Sequence, residues 1–196
     1  MKGKGAVYTI IFITLISAAF AAILAFSNSY FKPFINKNLE ERERKEILFV
    51  AGVEVQEDNL EEVFNKNIVE ENINGRKIHV KIDHDKKPES YIIQFSGAGL
   101  WGTISGYIGV EVGLGRLTGV TFTEHNETPG LGARIDEEWF KRQFSGIEIK
   151  KGKSLDYEES GIDTITGATS TSRSVMKLIN SVLNDIFTED GIWQER

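Results

Sequence analysis

The chain has 196 residues, 40% of them hydrophobic, a formal net charge of −6 and no cysteine. That length and composition suit one globular domain with attachments. The missing thiols exclude disulfides, thiolate metal sites and cysteine-held iron–sulfur clusters within the chain.

Residues 6–26 carry no charge and are mostly Ile, Ala, Phe and Leu. About twenty residues at roughly 1.5 Å each reach about 30 Å, enough to cross the hydrocarbon core of a bilayer. A cleavable signal peptide is the rival reading, because Lys2 and Lys4 precede the run and Ala19-Phe20-Ala21 has the small-residue pattern of a cleavage site. The run is long for a signal core and continues past that site, which favours an uncleaved anchor in lipid. Charge does not set the orientation. Lys2 and Lys4 favour an inside N-terminus, Lys32, Lys37, Arg42, Arg44 and Lys45 count the other way, and the rule weakens before a long domain. Beyond Lys2 and Lys4 there are 21 basic residues against 29 acidic ones, which disfavours nucleic acid as a partner.

Residues 30–38 read as a polar-aromatic exit from the membrane, with Tyr30 and Phe31 at the interface. Residues 37–50 read as a helix that docks by Ile47, Leu48, Phe49 and Val50. The alternating charges of 40–46 suit a solvated face. A second helix is expected over 58–70, with Leu60, Val63, Phe64 and Ile68 as its stripe and Asp58 with Glu61 as a capping box. The period then changes to two. Ile78, Val80 and Ile82 alternate with polar residues between turn signals at Asn74-Gly75 and at 83–88. Further strands are expected over 91–95, 104–112 and 117–122, and the short links require an antiparallel meander. Residues 136–144 read as a short helix with Trp139, Phe140 and Phe144 packing inward. Residues 147–149 add a strand, and 150–154 a polar basic turn. The fold class is α+β: an antiparallel sheet with packed helices, preceded by one N-terminal transmembrane helix. The expected division is a short cytoplasmic N-terminus (1–5), the anchor (6–26), a membrane-proximal helix and linker (27–57), the globular domain (58–190) and a frayed tail (191–196).

Three stretches carry chemistry. Gly97-Ala98-Gly99-Leu100-Trp101-Gly102 matches a dinucleotide fingerprint. That mechanism needs a helix immediately afterwards, and the β-branched, glycine-rich run that follows reads as strand. The glycines instead mark a tight turn or the close approach of a flat ligand. Trp101 is either a core or sheet-edge tryptophan or an aromatic wall for such a ligand. His125-Asn-Glu-Thr-Pro-Gly-Leu-Gly132 is a tight loop with positive φ expected at Gly130 or Gly132. It is either a plain surface turn or a ligand loop in which Glu127 and Thr128 meet a ring's polar edge. His125 reads as ordering its own loop. His79 and His84 fall on a strand and in a turn, without the carboxylate pattern of a metal site. Finally, Asp163-Thr-Ile-Thr-Gly-Ala-Thr-Ser-Thr-Ser172 precedes a helix whose apolar face is Val175, Leu178, Ile179, Val182, Leu183 and Ile186. Ser170, Thr171 and Ser172 are cap-type residues. Unpaired amides at a helix start favour a phosphate, although an ordinary capped helix has the same look.

Asp163-Thr-Ile-Thr-Gly-Ala-Thr169 resembles the attachment motif of covalent-FMN proteins, in which the FMN phosphate is esterified to the last threonine. The resemblance puts the flavin on Thr169. It puts Asp163, Thr166, Gly167, Ala168 and Ser170 in the motif read by the flavin transferase that installs it. Gly-Leu-Trp at 99–101, the loop at 125–132 and Thr-Gly-Ala-Thr at 166–169 follow in order at family-like spacings. With the single anchor they resemble the G subunits of Rnf-type ion-translocating electron-transport complexes, over nearly the whole chain. The related C subunits of sodium-pumping NADH:quinone reductases share the fold and motif. The resemblance implies an extracytoplasmic FMN domain on one helix in the cytoplasmic membrane, with other membrane subunits as partners. It also implies that Trp101, Glu127, Thr128, Gly130, Leu131 and Thr171 line the flavin, and that electrons pass between ferredoxin and NAD during ion pumping. No acid/base pair or nucleophile triad is visible, so no turnover by this chain alone is expected. Two other readings stand beside it. One is a membrane-anchored module holding a phosphorylated ligand noncovalently. The other is a periplasmic flavoprotein reductase with its own soluble substrate.

Overall fold

The computed structural model describes residues 3–56, 59–73, 75–113 and 115–188. In chain order they form α1 (Gly3–Val50), α2 (Leu60–Asn67), β1 (Ile68–Ile73), β2 (Arg76–Ile82), β3 (Pro88–Ala98), β4 (Thr103–Glu111), β5 (Leu117–Glu124), a 3-10 turn (Gly132–Asp136), α3 (Glu138–Arg142), α4 (Tyr157–Ser160) and α5 (Thr169–Thr188). The chain divides into two units, 1–42 and 43–196.

The first unit lies within α1. By length and composition α1 can cross a membrane, and its most apolar stretch is not buried within the protein. The expected exit at 30–38 is helical, and the helix runs on through Pro33, whose missing N–H leaves the Ser29 carbonyl without its helical partner.

The second unit is a five-stranded antiparallel meander in the order β1-β2-β3-β4-β5. The meander has one strand more than the four the sequence pattern assigns to it. The second helix stops at Asn67, and Ile68 opens β1 instead of continuing the helix to residue 70. The reason is cross-strand pairing: β1 runs in register with β2 from Ile68↔Lys81 to Ile73↔Arg76. Lys77 reaches Glu70 at 2.9 Å across the pair. Gly75, at φ +80°, makes the turn. The expected Asp58 cap and Asn74 lie outside the described residues. The strand expected over 147–149 is reduced to a bridge between Arg116 and Glu148, with the Leu117 amide donating to Ile147 at 2.9 Å.

The sheet is covered on both faces. On one, Phe95, Ile104, Ile108, Val120 and Phe122 pack with Phe140, Phe144 and the α5 residues Val175, Ile179, Leu183 and Ile186. On the other, Ile92 and Tyr107 meet Ile47, Leu48 and Val50 at the end of α1 and Leu60 and Phe64 of α2. Trp139 meets Phe140 edge-on, with ring centroids 5.6 Å apart, but stays at the margin of this cluster. It is 39% exposed, because its indole N–H donates to Glu137 while Arg134 sits 5.4 Å from its ring. The end of α1 is seated by glycines. Gly109 and Gly119 pair across β4 and β5. A Cβ at Gly109 would stand 2.7 Å from Val50 Cγ1 and 2.1 Å from Thr118 Oγ1, and one at Gly119 would stand 3.2 Å from Val50 Cα. Polar bonds complete the seat. Tyr107 donates to Glu43, and Thr121 and Lys141 both donate to Glu46. Burial, reinforced by the Glu43 bond and charge, holds the Tyr107 phenol well above its ordinary range.

His79 is buried between the rings of Phe64 and Tyr107, with Nε2 3.5 Å from Glu70. Burial is the main cause that lowers its pKa from 6.5. The unfolded chain therefore binds the extra proton more readily, and His79 costs stability as pH falls below about 6.5. Denaturant midpoints of the detergent-solubilised chain should fall on acidification through that range, and His79→Phe should flatten the dependence. A parallel profile for the variant would refute this. Gly109→Val should destabilise the second unit by about 1–3 kcal/mol through overpacking against Val50. An unchanged unfolding midpoint would show that α1 can give way there.

Candidate functional site

Three segments distant in sequence converge at the end of the sheet next to the start of α5. The first is the β3–β4 turn, closed by the Gly99 amide donating to the Gly102 carbonyl at 2.7 Å. A strand follows it, as the residue pattern predicts, so no helix start is available here for a pyrophosphate. The glycines serve close packing. A Cβ at Gly99 would lie 2.5 Å from Glu127 Oε1, and one at Gly102 2.9 Å from Asn126 Nδ2. The turn holds Leu100 and Trp101 in solvent, 50% and 68% exposed. Trp101 is therefore neither a core nor a covered sheet-edge residue.

The second segment is the loop 125–132. His125 orders it: Nδ1 accepts from the Glu127 amide at 3.2 Å, so Nε2 carries the proton and donates to Asp136 at 3.0 Å. The Thr128 carbonyl accepts from Leu131 at 3.1 Å and Ala133 at 3.0 Å, and Gly130 takes φ +74° in between. Thr128 is exposed, and so is Leu131 at 43%.

The third segment is the stretch 163–172, which leads into α5. Ile162, Ile165 and Ala168 are buried at three-residue steps, while Asp163, Thr164, Thr166, Gly167, Thr169 and Ser170 are exposed. The apolar residues plug the loop into the core, and the motif's polar side chains face out. Gly167 has φ +79°, and a Cβ there would meet Leu131 Cδ2 at 3.1 Å. Both ends of the loop are fastened. The Gln143 side-chain amide pairs with the Asp163 backbone: Asp163 N donates to Oε1 at 2.7 Å and Nε2 donates to the Asp163 carbonyl at 3.4 Å. Ser172 Oγ accepts from Ile165 N at 3.2 Å and donates to the Ala168 carbonyl at 3.1 Å. Tyr157 donates to the Ser172 carbonyl at 2.6 Å, and burial raises its phenol above the ordinary range. Thr169 is the first residue of α5.

Glu127 joins all three segments. It is 4% exposed. Oε1 accepts from Leu100 N at 2.8 Å and Trp101 N at 3.3 Å, and Oε2 accepts from Thr171 Oγ1 at 2.7 Å. The sequence suggests Glu127 as an acceptor for a ring N–H and Thr171 as a ligand contact. In the fold these two side chains bond each other, and Thr171 is buried. They shape the site from beneath. Trp101, Thr128, Gly130, Leu131, Asp163, Thr166, Gly167, Thr169 and Ser170 face solvent. Gln143 and Tyr157 carry no motif signal as site residues, because their partners lie 20 and 15 positions away.

These residues fit a flavin mononucleotide. An exposed hydroxyl at a helix start, beside unpaired first-turn amides, suits its phosphate. The exposed apolar groups of Leu100, Trp101 and Leu131 suit a flat ring. Three hollows elsewhere on the unit, one of about 1060 Å³ lined by Phe49, Lys141 and Arg142, share no residue with this surface.

Sheet, loop and helix start thus define a cofactor-carrying domain, and residues 99–184 match the family of FMN-binding domains. That match covers 86 of the chain's 196 residues. The chain's relatives include both kinds of protein that the motifs resemble. It is 28% identical to the G subunit of the proton-translocating ferredoxin:NAD(+) oxidoreductase complex of Clostridium ljungdahlii, over 71% of this chain and 76% of the relative. It is 32% identical to the C subunit of the Na(+)-translocating NADH-quinone reductase of Vibrio campbellii, over 48% of this chain and 41% of the relative. The chain spans less than half the length of that second relative. The crystal structure of the Na(+)-translocating NADH-quinone reductase C subunit from Parabacteroides distasonis superposes with a TM-score of 0.59 at 28% identity, covering 82% of this chain and 98% of that one.

Glu127→Ala should strand buried partners at Thr171 and in the 99–102 turn, costing about 1–3 kcal/mol. Glu127→Gln keeps an acceptor for the turn amides and a donor for the Thr171 oxygen, and should lose clearly less. Equal denaturation midpoints for the two variants would argue against the carboxylate as the joint.

Proposed function

We propose that the chain is an electron-transfer flavoprotein subunit of a membrane-bound, ion-translocating oxidoreductase complex, with FMN joined through a phosphoester to the Thr169 hydroxyl. One observation carries this reading. Within an FMN-binding domain, Thr169 stands exposed at the first residue of α5, directly after the positive-φ Gly167 and the buried Ala168. The helix dipole and first-turn amides would favour the phosphate there. Trp101, Leu100 and Leu131 would give the ring an apolar wall, with Thr128 and Gly130 at its polar edge and Glu127 holding the wall in place.

Bound flavin supplies the redox chemistry, accepting two electrons and passing them on singly. The protein anchors the tail, shapes one side of the ring site and leaves the other side open to a partner. That openness suits a relay between neighbouring membrane subunits better than turnover of a soluble substrate. The G-type relative supports the choice of complex, since it is matched over 76% of its length against 41% for the C-type one. The apolar stretch 6–26 would anchor the chain in the cytoplasmic membrane, with the FMN domain on the extracytoplasmic side. A covalent tail would prevent cofactor loss there, and a flavin transferase would install it.

In SDS gels of native membranes the chain should run as a flavin-fluorescent band, and the Thr169 peptide should carry the mass of one FMN less water. Thr169→Ala should abolish both signals. A dark band with an unmodified Thr169 in natively matured protein would reject the covalent reading and favour noncovalent binding.

A further inference from the structure

We infer that Gln143 is a positioning residue for flavin attachment, acting through the Asp163 backbone; the inference rests on the proposed ester at Thr169. Gln143 lies twenty positions upstream of the motif, at the C-terminal end of α3. It is held in place by its neighbours, because Phe140 and Phe144 are fully buried against the sheet. Its side chain offers an acceptor to Asp163 N at 2.7 Å and a donor to the Asp163 carbonyl at 3.4 Å. An amide side chain matches a backbone donor and acceptor together, as one strand matches another. A rigid element therefore grips the main chain of the residue that opens the motif.

What the grip controls is orientation. Asp163, Thr166 and Thr169 are exposed, and the residue before each, Ile162, Ile165 and Ala168, is buried. The downstream end is already fastened through Ser172 and Tyr157. With Gln143 at the upstream end, the segment between is stretched over its buried apolar residues, and the outward side chains form one surface. A modifying enzyme reading that surface meets it preformed and need not order it, which lowers the cost of recognition. In the transfer itself the Thr169 oxygen forms one P–O bond to the flavin phosphate, and the bond from that phosphorus to its leaving group breaks. With a flavin dinucleotide as donor, the leaving group is a nucleoside monophosphate and the hydroxyl proton is released. Gln143 touches none of these atoms.

The same fold supplies its own control. Asn180 makes an equivalent two-bond clamp, on Leu155 N at 2.7 Å and Leu155 O at 2.8 Å, outside the motif. The test uses the full chain in detergent, purified from cells without the transferase, then given purified flavin transferase and a flavin dinucleotide. In-gel fluorescence gives the initial rate and the final plateau, and thermal melting gives the folded fraction. Losing the pairing should slow labelling of Gln143→Leu about tenfold, chiefly through KM, with a wild-type plateau. Gln143→Glu keeps the acceptor for Asp163 N and should recover most of the rate. Asn180→Leu should label at the wild-type rate, normalised to the folded fraction. A wild-type rate for Gln143→Leu would overturn the inference, as would an Asn180→Leu defect of equal size. Should Gln143→Leu fail to fold, a Gln143→Glu rate as slow as a tenfold loss would overturn it. Wild-type chain that acquires no flavin would instead reject the ester at Thr169.

Discussion

The site depends on a buried carboxylate shared among three segments. Glu127 accepts from the Leu100 and Trp101 amides on one oxygen and from the Thr171 hydroxyl on the other. A buried carboxylate is costly unless its lone pairs are satisfied, so each of the three donors is held to a defined place. The consequence is geometric. The hairpin turn that displays Trp101, the loop that displays Leu131 and the helix that begins at Thr169 cannot move independently. Glycines make the convergence possible, since side chains at Gly99 or Gly132 would collide with the Glu127 carboxylate.

A second constraint acts on the opposite face of the sheet. The end of α1 is pressed onto β4 and β5 where Gly109 and Gly119 remove the side chains that would hold it off. Glu43 and Glu46 then reach down to Tyr107, Thr121 and Lys141. Apolar contact supplies the bulk of the attraction at such a junction, and the partly buried polar bonds fix its register. Strand β4 is consequently buried along most of its length. The cofactor surface and the α1 seat thus share one rigid sheet.

An open, partly apolar platform is an unusual choice for a small-molecule site, which is normally a concave pocket. It is a reasonable one for a carrier. A covalent bond removes the need for a pocket deep enough to retain the ligand by burial alone. On the proposed reading, the exposed Trp101, Leu100 and Leu131 would serve as a rest for a ring and as a surface for a partner. The loop 163–169 meets the same two demands. For the proposed ester it would have to be ordered enough to be recognised and open enough to be modified, and burying every third residue suits both.

Much of this was legible in the residues themselves. The period-two stretches located β2 to β5, the three-and-four spacing located α5, and the motif around Thr169 pointed to the cofactor before any fold was known. Local pattern failed where long-range pairing decided. The Ile68–Ile73 stretch carries a glutamate pair and continues a helical stripe, yet it is a strand because β2 lies beside it. Trp139 looks apolar enough for the core, but its indole is drawn to Glu137 and Arg134. By itself the sequence determined the meander, the apolar N-terminal run and the threonine at the start of α5, because these follow from short-range periodicity and local chemistry. Only the tertiary structure decided that Glu127 is a structural joint and that Gln143 grips the motif, because those roles come from partners 20 to 44 residues away.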